Sequence, residues 1–193
     1  MKRFFRLLSI AVLLAACPLF ALHPTNKHLQ HKNKHDKKIL IVCYSQTGNT
    51  RHVAHQIKKA VGGTIHNLVP AKPYPKDLKA CVAQVKEEKA KGERPELKNI
   101  PDCSKYDIIF IGSPNWCGTI APPVETFIAN GKLQGKKVIL FVTHGKGGLQ
   151  NCEKDFKAAL PGASHGTTGA FPGKNVKRLN SNIQQWARSA MLD

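Results

Sequence analysis

The sequence predicts an α/β domain in which a five-stranded parallel sheet is covered by helices on both faces, a three-layer sandwich. Three observations carry this. Short apolar runs rich in β-branched residues alternate with longer segments whose apolar residues recur at helical spacing. The first run, Ile39-Leu40-Ile41-Val42-Cys43-Tyr44, is apolar without alternation, as a strand buried on both faces must be. It passes directly into Ser45-Gln46-Thr47-Gly48-Asn49-Thr50, a hydroxyl-rich hexapeptide placed where a strand turns into a helix.

The elements follow in order. After the hexapeptide, Val53, Ile57 and Val61 mark a helix over Arg51 to Val61. Gly62-Gly63 ends it, and Thr64 to Val69 is the second strand. The prolines of Pro70-Ala71-Lys72-Pro73-Tyr74-Pro75 break the chain before a helix over Lys76 to Lys91, with Leu78, Val82 and Val85 on its apolar side. The opposite side is mostly lysine and glutamate, a solvated face with some i,i+4 pairing. Tyr106 to Gly112 is the third strand, and Ala121 to Ala129 a helix whose prolines suit a first turn. Lys137 to Val142 is the fourth strand and Glu153 to Leu160 the fourth helix. Thr167 to Phe171 is the last strand, and Asn175 to Met191 the closing helix, with Val176, Leu179, Ile183 and a core Trp186 on one face. Five strands alternating with five helices give a parallel sheet wound on both sides.

The chain has 193 residues, 41% of them hydrophobic, enough for one compact domain with extensions. Its formal charge is +18, so anionic partners are favoured: acidic redox proteins, anionic lipid headgroups or small anions. The lysines are scattered and no recognition motif accompanies them, which argues against nucleic acid.

Residues 1–16 read as a signal peptide: Lys2, Arg3 and Arg6 precede an apolar run, Leu7 to Ala16, too short to span a bilayer. The run ends Leu14-Ala15-Ala16-Cys17, which resembles a bacterial lipobox and implies a lipidated Cys17. Ordinary cleavage nearby, after Ala21 for instance, is the alternative. Both place the protein outside the cytoplasm, in the periplasm or on the outer surface. There is no twin arginine, so the expected route is export as an unfolded chain that acquires any cofactor outside. Residues 17–37 are polar and basic, with His23, His28, His31 and His35 among lysines; they read as a flexible tether, the alternative being metal capture. The folded domain is then 38–193.

In a strand-to-helix turn the first N–H groups of the helix lack partners and the helix dipole favours an anion. Ser45, Thr47 and Thr50 add hydroxyl donors, while Gly48 and Asn49 tolerate the turn. No lysine lies in the hexapeptide and no GxxxxGK[ST] pattern is present, which points away from a triphosphate and toward a monophosphate held by neutral donors. A capped turn without ligand is the plainer alternative.

The S-x-T-G-N-T loop resembles the phosphate-binding loop of the flavodoxin family, which holds the phosphate of FMN. The Pro-Tyr-Pro stretch at 73–75, Ser113-Pro114-Asn115-Trp116-Cys117-Gly118-Thr119, and Thr143-His144-Gly145 with its following glycines extend the resemblance over residues 38 to 191. It implies the strand order 2-1-3-4-5 and a ligand at the switch point, held by the loops after the first, third and fourth strands. Residue by residue it implies that Ser45, Gln46, Thr47, Gly48, Asn49 and Thr50 hold the phosphate. Pro114, Asn115, Trp116, Cys117 and Gly118 flank the flavin ring, with Trp116 on its face and the Cys117-Gly118 backbone at its N5 edge. Thr143, His144 and Gly145 line its pyrimidine side. Relatives often carry two aromatics before the glycine where this chain has Trp116 then Cys117, and they are usually acidic where this chain is basic.

Five cysteines remain after Cys17. Cys43 reads as a small core hydrophobe. Cys117 with Cys152, and Cys81 with Cys103, are candidate disulfides in an exported protein. No CxxC or metal-ligand spacing exists. His144 is either a proton donor or a polar loop residue, and Lys146 favours anions. The expected function is an FMN-binding flavodoxin-like protein that transfers electrons outside the cytoplasm, to an acidic partner protein or a small anionic acceptor, with a membrane surface nearby through Cys17. Alternatives are an FMN-dependent NAD(P)H quinone or nitro reductase, and a non-redox lipoprotein that captures flavin or haem. The absence of a GxGxxG fingerprint leans toward the carrier.

Overall fold

The computed structural model describes residues 37–193. The leader, Cys17 and the tether histidines lie outside the described residues.

The sheet grows from the first apolar run. Strand β1 (Ile39–Cys43) is buried at every position and lies between β2 (Thr64–Asn67) and β3 (Ile108–Trp116), parallel to both. β5 (Lys137–His144) pairs parallel with the other edge of β3. Side chains alternate across the sheet, so one run fills two cores. Ile39, Ile41 and Cys43 pack with Phe110, Phe141, Val53 and Ile57 on one face. Leu40, Val42 and Tyr44 pack with Ile109, Leu140, Val85 and Phe127 on the other. Helices α1 (Asn49–Val61) and α5 (Asn180–Ala190) cover the first face. Helices α2 (Leu78–Lys91), α3 (Pro122–Asn130) and α4 (Cys152–Ala159) cover the second. The layers and the 2-1-3-4-5 order of the five principal strand positions are as the sequence predicts.

The sheet has seven strands rather than five, for two local reasons. The fifth position is split between β6 (Ser164–His165), on the start of β5, and β7 (Gly169–Pro172), on its end. Between them Gly166 to Thr168 stand opposite only Ile139 and Leu140, one residue too many for a continuous ladder. The seventh strand, β4 (Thr119–Ile120), folds back antiparallel on the end of β3. The predicted closing helix is also broken: Gly173–Arg178 form a 3-10 turn, and α5 starts after Leu179.

Two predicted core positions differ. Leu78, expected on the apolar side of α2, is 77% exposed; Cys81 and Val85 are buried instead. Asp77 caps α2 by accepting the Ala80 N–H (2.8 Å), which leaves Leu78 in the first turn, beyond the edge of the core. Trp186 is half-buried rather than fully enclosed, set edge-on against Phe171 (5.3 Å) and Phe110 (6.0 Å).

All five described cysteines are free thiols. Cys43 donates to Asn67 Oδ1 (3.4 Å). Burial pushes its pKa up to about 12, Arg51 offsetting this only in part. Burial and then Asp155 push Cys152 up to about 12 as well.

Two predictions follow from this packing. An added Cβ at Gly112 would stand 2.8 Å from the Cys43 Cβ and collide with the Phe141 ring. Gly112→Ala should therefore destabilise the fold by about 1–3 kcal/mol, read as a lower urea midpoint at unchanged m. The second concerns alkali. A thiol whose folded pKa is raised contributes stability that is complete below its unfolded value near 9 and is lost as pH approaches about 12. Urea unfolding should show stability declining over that window, with a shallower slope in Cys43→Ala/Cys152→Ala.

Candidate functional site

Four segments meet at the carboxyl ends of the strands. The first is the hexapeptide. Gly48 takes φ +90° at the N-cap of α1, a conformation an L side chain resists. No side chain caps this helix and no acidic residue stands in its first turn. The first backbone bond of the turn is His52 N–H to Gly48 O at 2.9 Å, so the N–H groups of Asn49, Thr50 and Arg51 precede the helical ladder. Beside them the Ser45 Oγ is buried with no hydrogen-bond partner. A buried unpaired hydroxyl costs about 1–3 kcal/mol, and here it borders a turn that already favours an anion.

The other residues of the hexapeptide divide by role. Thr47 is exposed. Thr50 is buried, and its hydroxyl bonds the Thr143 hydroxyl at 2.8 Å. The Gln46 side chain accepts from Tyr44 Oη (2.7 Å) and donates to Pro75 O (3.1 Å). So Gln46 and Thr50 brace the loop with their side chains, while the Ser45 hydroxyl has no partner and Thr47 is exposed. Asn49 lies against Gly173: a Cβ on Gly173 would stand 2.6 Å from its Nδ2.

The second segment, expected as a loop, is a hairpin. Trp116 pairs with Thr119 and Asn115 with Ile120 across a two-residue turn at Cys117 (φ 52°) and Gly118 (φ 89°). Both residues are left-handed, as a type I′ turn requires. Pro114 ends the register with β5, opposite Thr143. Asn115 holds the hairpin in place: Oδ1 accepts the Gly118 N–H (3.0 Å), and Nδ2 donates to Gly148 O (2.7 Å) and Gln150 Oε1 (3.0 Å). The Thr119 Oγ1 is a second buried hydroxyl without a partner.

Trp116 stands edge-on to Tyr74 (5.0 Å) and Tyr44 (5.2 Å). Neither tyrosine was singled out from the sequence as a site residue. The available signals were the position of Tyr44 immediately before Ser45 and the prolines that fix Tyr74. Both phenol pKa values are raised, by burial first; for Tyr74 the hydrogen bond to Glu88 (2.6 Å) adds to this. They are neutral aromatic walls. A cavity of about 220 Å³ beside them is lined by Tyr44, Ser45, Arg51, Asn67 and Tyr74 among others.

The third segment carries Thr143, His144 and Gly145. The His144 Nδ1 donates to Gly145 O (2.7 Å), since a carbonyl only accepts. The fourth, Pro172-Gly173, was not expected. It approaches because Gly173 has no side chain to collide with the Asn49 amide, and it lies beside the His144 carbonyl. Among the described residues no group of three or more His, Cys, Asp or Glu could hold a metal ion.

A family model for flavodoxins matches residues 38–189. The chain belongs to the flavodoxin family. Among solved structures, this flavodoxin is similar to a flavoprotein of Bacteroides uniformis, with 30% identity and a TM-score of 0.70 over 79% of this chain and 98% of that one. A flavoprotein of Bacteroides eggerthii is similar at 28% identity and a TM-score of 0.65, over 77% of this chain and 98% of that one. A flavoprotein of Lactobacillus acidophilus in complex with FMN is similar at 25% identity and a TM-score of 0.60, over 74% and 97%. No curated protein matches the chain. The unpartnered Ser45 hydroxyl, the uncapped α1 and the absence of acid there fit the phosphate of FMN.

Ser45→Ala separates a ligand role from a structural one. Removing an unsatisfied hydroxyl should leave unfolding by urea unchanged or slightly later, while FMN affinity, read by fluorescence quenching, should fall about tenfold or more, as expected for a donor to a charged group.

Proposed function

We propose that this chain is an FMN-binding redox carrier that transfers electrons outside the cytoplasm, delivered by its leader and held near a membrane through Cys17. The observation that carries the cofactor assignment is the Ser45 hydroxyl, buried and unpartnered beside the open first turn of α1. Bound FMN supplies reversible redox chemistry; this chain's residues bind, orient and tune it. Ser45, Thr47 and the N–H groups of the first turn hold the phosphate. Gly48 gives the turn its left-handed residue. Asn115 fixes the hairpin, so that Trp116 and the Cys117-Gly118 backbone would flank the ring, while Thr143, His144 and Gly145 would line its pyrimidine side. Lys146 adds positive charge that favours an anionic guest. With a formal charge of +18, the surface favours an acidic partner protein or a small anionic acceptor. Export rests on the charged start, the short apolar run and Leu14-Ala15-Ala16-Cys17.

The test mixes the purified protein with FMN and follows flavin fluorescence, then the visible spectrum through stepwise reduction, then turnover with NAD(P)H and a quinone. The expected result is saturable quenching, reversible reduction and no NAD(P)H–quinone turnover. Rapid turnover would replace the carrier with a reductase. Tight binding without reversible reduction would favour flavin capture, and no binding would overturn the cofactor.

A further inference from the structure

The hairpin tip carries a residue that its geometry does not favour. A two-residue turn with both residues left-handed prefers Asn, Asp or Gly at its first position, where this chain has Cys117 at φ 52°. A β-carbon there is strained, and such strain concentrates at functional positions. Cys117 is the one exposed thiol among the described cysteines. The remaining four are buried, and two have local acceptors: Cys43 bonds Asn67 Oδ1 and Cys103 bonds Pro101 O (3.5 Å).

Cys117 faces a second cysteine across a small cavity. The space, about 130 Å³, is lined by Leu78, Cys81, Val82, Val85, Asn115, Trp116 and Cys117. Cys81 is on the second turn of α2, only 7% exposed, and turned toward the sheet. Both side chains line this one space, Cys117 from the hairpin tip and Cys81 from α2. The neighbours suggested by sequence position differ from these, since Cys103 is turned to Pro101 and Cys152 is wholly buried at the start of α4.

We propose that Cys117 and Cys81 form a dithiol–disulfide site that reacts with low-molecular-weight disulfides and, when oxidised, ties the Trp116 hairpin to α2. The exposed Cys117, as thiolate, attacks one sulfur of the small disulfide; a mixed disulfide forms and one small thiolate leaves. Cys81, deprotonated as it attacks, then displaces the second small thiolate from Cys117 Sγ. Two protein thiols are oxidised, one small disulfide is reduced to two thiols, and the two protein protons pass to those products. A disulfide needs Cβ atoms about 3.5–4.5 Å apart, and the cavity gives the tip room to settle toward α2. Exposure of the attacker and burial of the resolver favour the order Cys117 first, Cys81 second. The site stands on the thiols alone and does not depend on the flavin reading.

The experiment treats the purified full chain with oxidised glutathione, without flavin, and maps every cysteine by peptide mass spectrometry under non-reducing conditions. The expected product has lost two hydrogens, contains a peptide pair joined at Cys81 and Cys117, and has two fewer titratable thiols; dithiothreitol restores both. Cys81→Ser should stop at one glutathione on Cys117, and Cys117→Ser should take up none at either position. A wild-type protein that keeps glutathione on Cys117, or that joins Cys117 to a different cysteine, overturns the proposal. A parallel FMN titration of the reduced and oxidised forms reads the effect on the hairpin, and a failure of flavin binding there leaves the thiol result intact.

Discussion

The geometry of the site depends on one buried contact, the hydroxyl pair of Thr50 and Thr143 at 2.8 Å. A parallel sheet fixes where each strand ends but leaves the loops beyond it free to diverge. Thr50 belongs to the first turn of α1 and Thr143 to the last turns of β5's ladder, with β3 between them. Both are nearly inaccessible, so each hydroxyl has the other in place of water, and separating them would strand two buried polar groups. The pair therefore sets the distance between the phosphate-type turn and the loop carrying His144. Asn115 does the same between the β3 hairpin and the loop at Gly148, with two bonds across to that loop and a third within the hairpin. Gly173 closes the ring of contacts by leaving room beside Asn49.

This arrangement sorts side chains of one chemical type into two jobs. Of four buried hydroxyls in these loops and strand ends, Thr50 and Thr143 satisfy each other while Ser45 and Thr119 remain without partners. A fold does not gain stability from an unsatisfied hydroxyl, so the second pair marks where the protein's polar surface is incomplete. The distinction is invisible to composition. It arises only when the loops are packed, because which hydroxyl finds a partner depends on the register of β3 against β5 rather than on the local sequence.

The same reasoning explains what the sequence could and could not convey. Continuous apolar runs at 39–44, 106–112 and 137–142 require a sheet covered on both faces, and the hexapeptide at 45–50 marks its own turn, so layers, strand order and the first loop are legible. Local breaks are less so. The bulge at Gly166 to Thr168 depends on a mismatch with Ile139 and Leu140, residues far away in sequence. The hairpin at 113–120 lacks the Asn-Gly or Asp-Gly signal, because Cys117 occupies the position that would announce it. Leu78 satisfies helical spacing and still points outward, since spacing gives a face but not where the helix ends relative to the sheet. Tyr44 and Tyr74 acquire their role from meeting Trp116, a contact between three separate segments.

The aromatic cluster also bears on how this site differs in kind from a purely polar one. Trp116 is held edge-on by two phenols, and Tyr74 is in turn held by Glu88, so the indole is fixed by packing rather than by its own hairpin alone. The hairpin tip beyond it is held by Asn115, by the Asn151 N–H donating to Gly118 O (2.9 Å) and by the left-handed turn at Cys117 and Gly118. The tryptophan is anchored on the core, while Cys117 lines the small cavity toward α2. If the proposed Cys81–Cys117 pair forms, the indole can stay fixed while the edge beside Cys117 changes. That separation places the chemistry-bearing contacts on the sheet and any adjustable element at its margin, which a parallel sheet with its loops at one end makes available without disturbing either core.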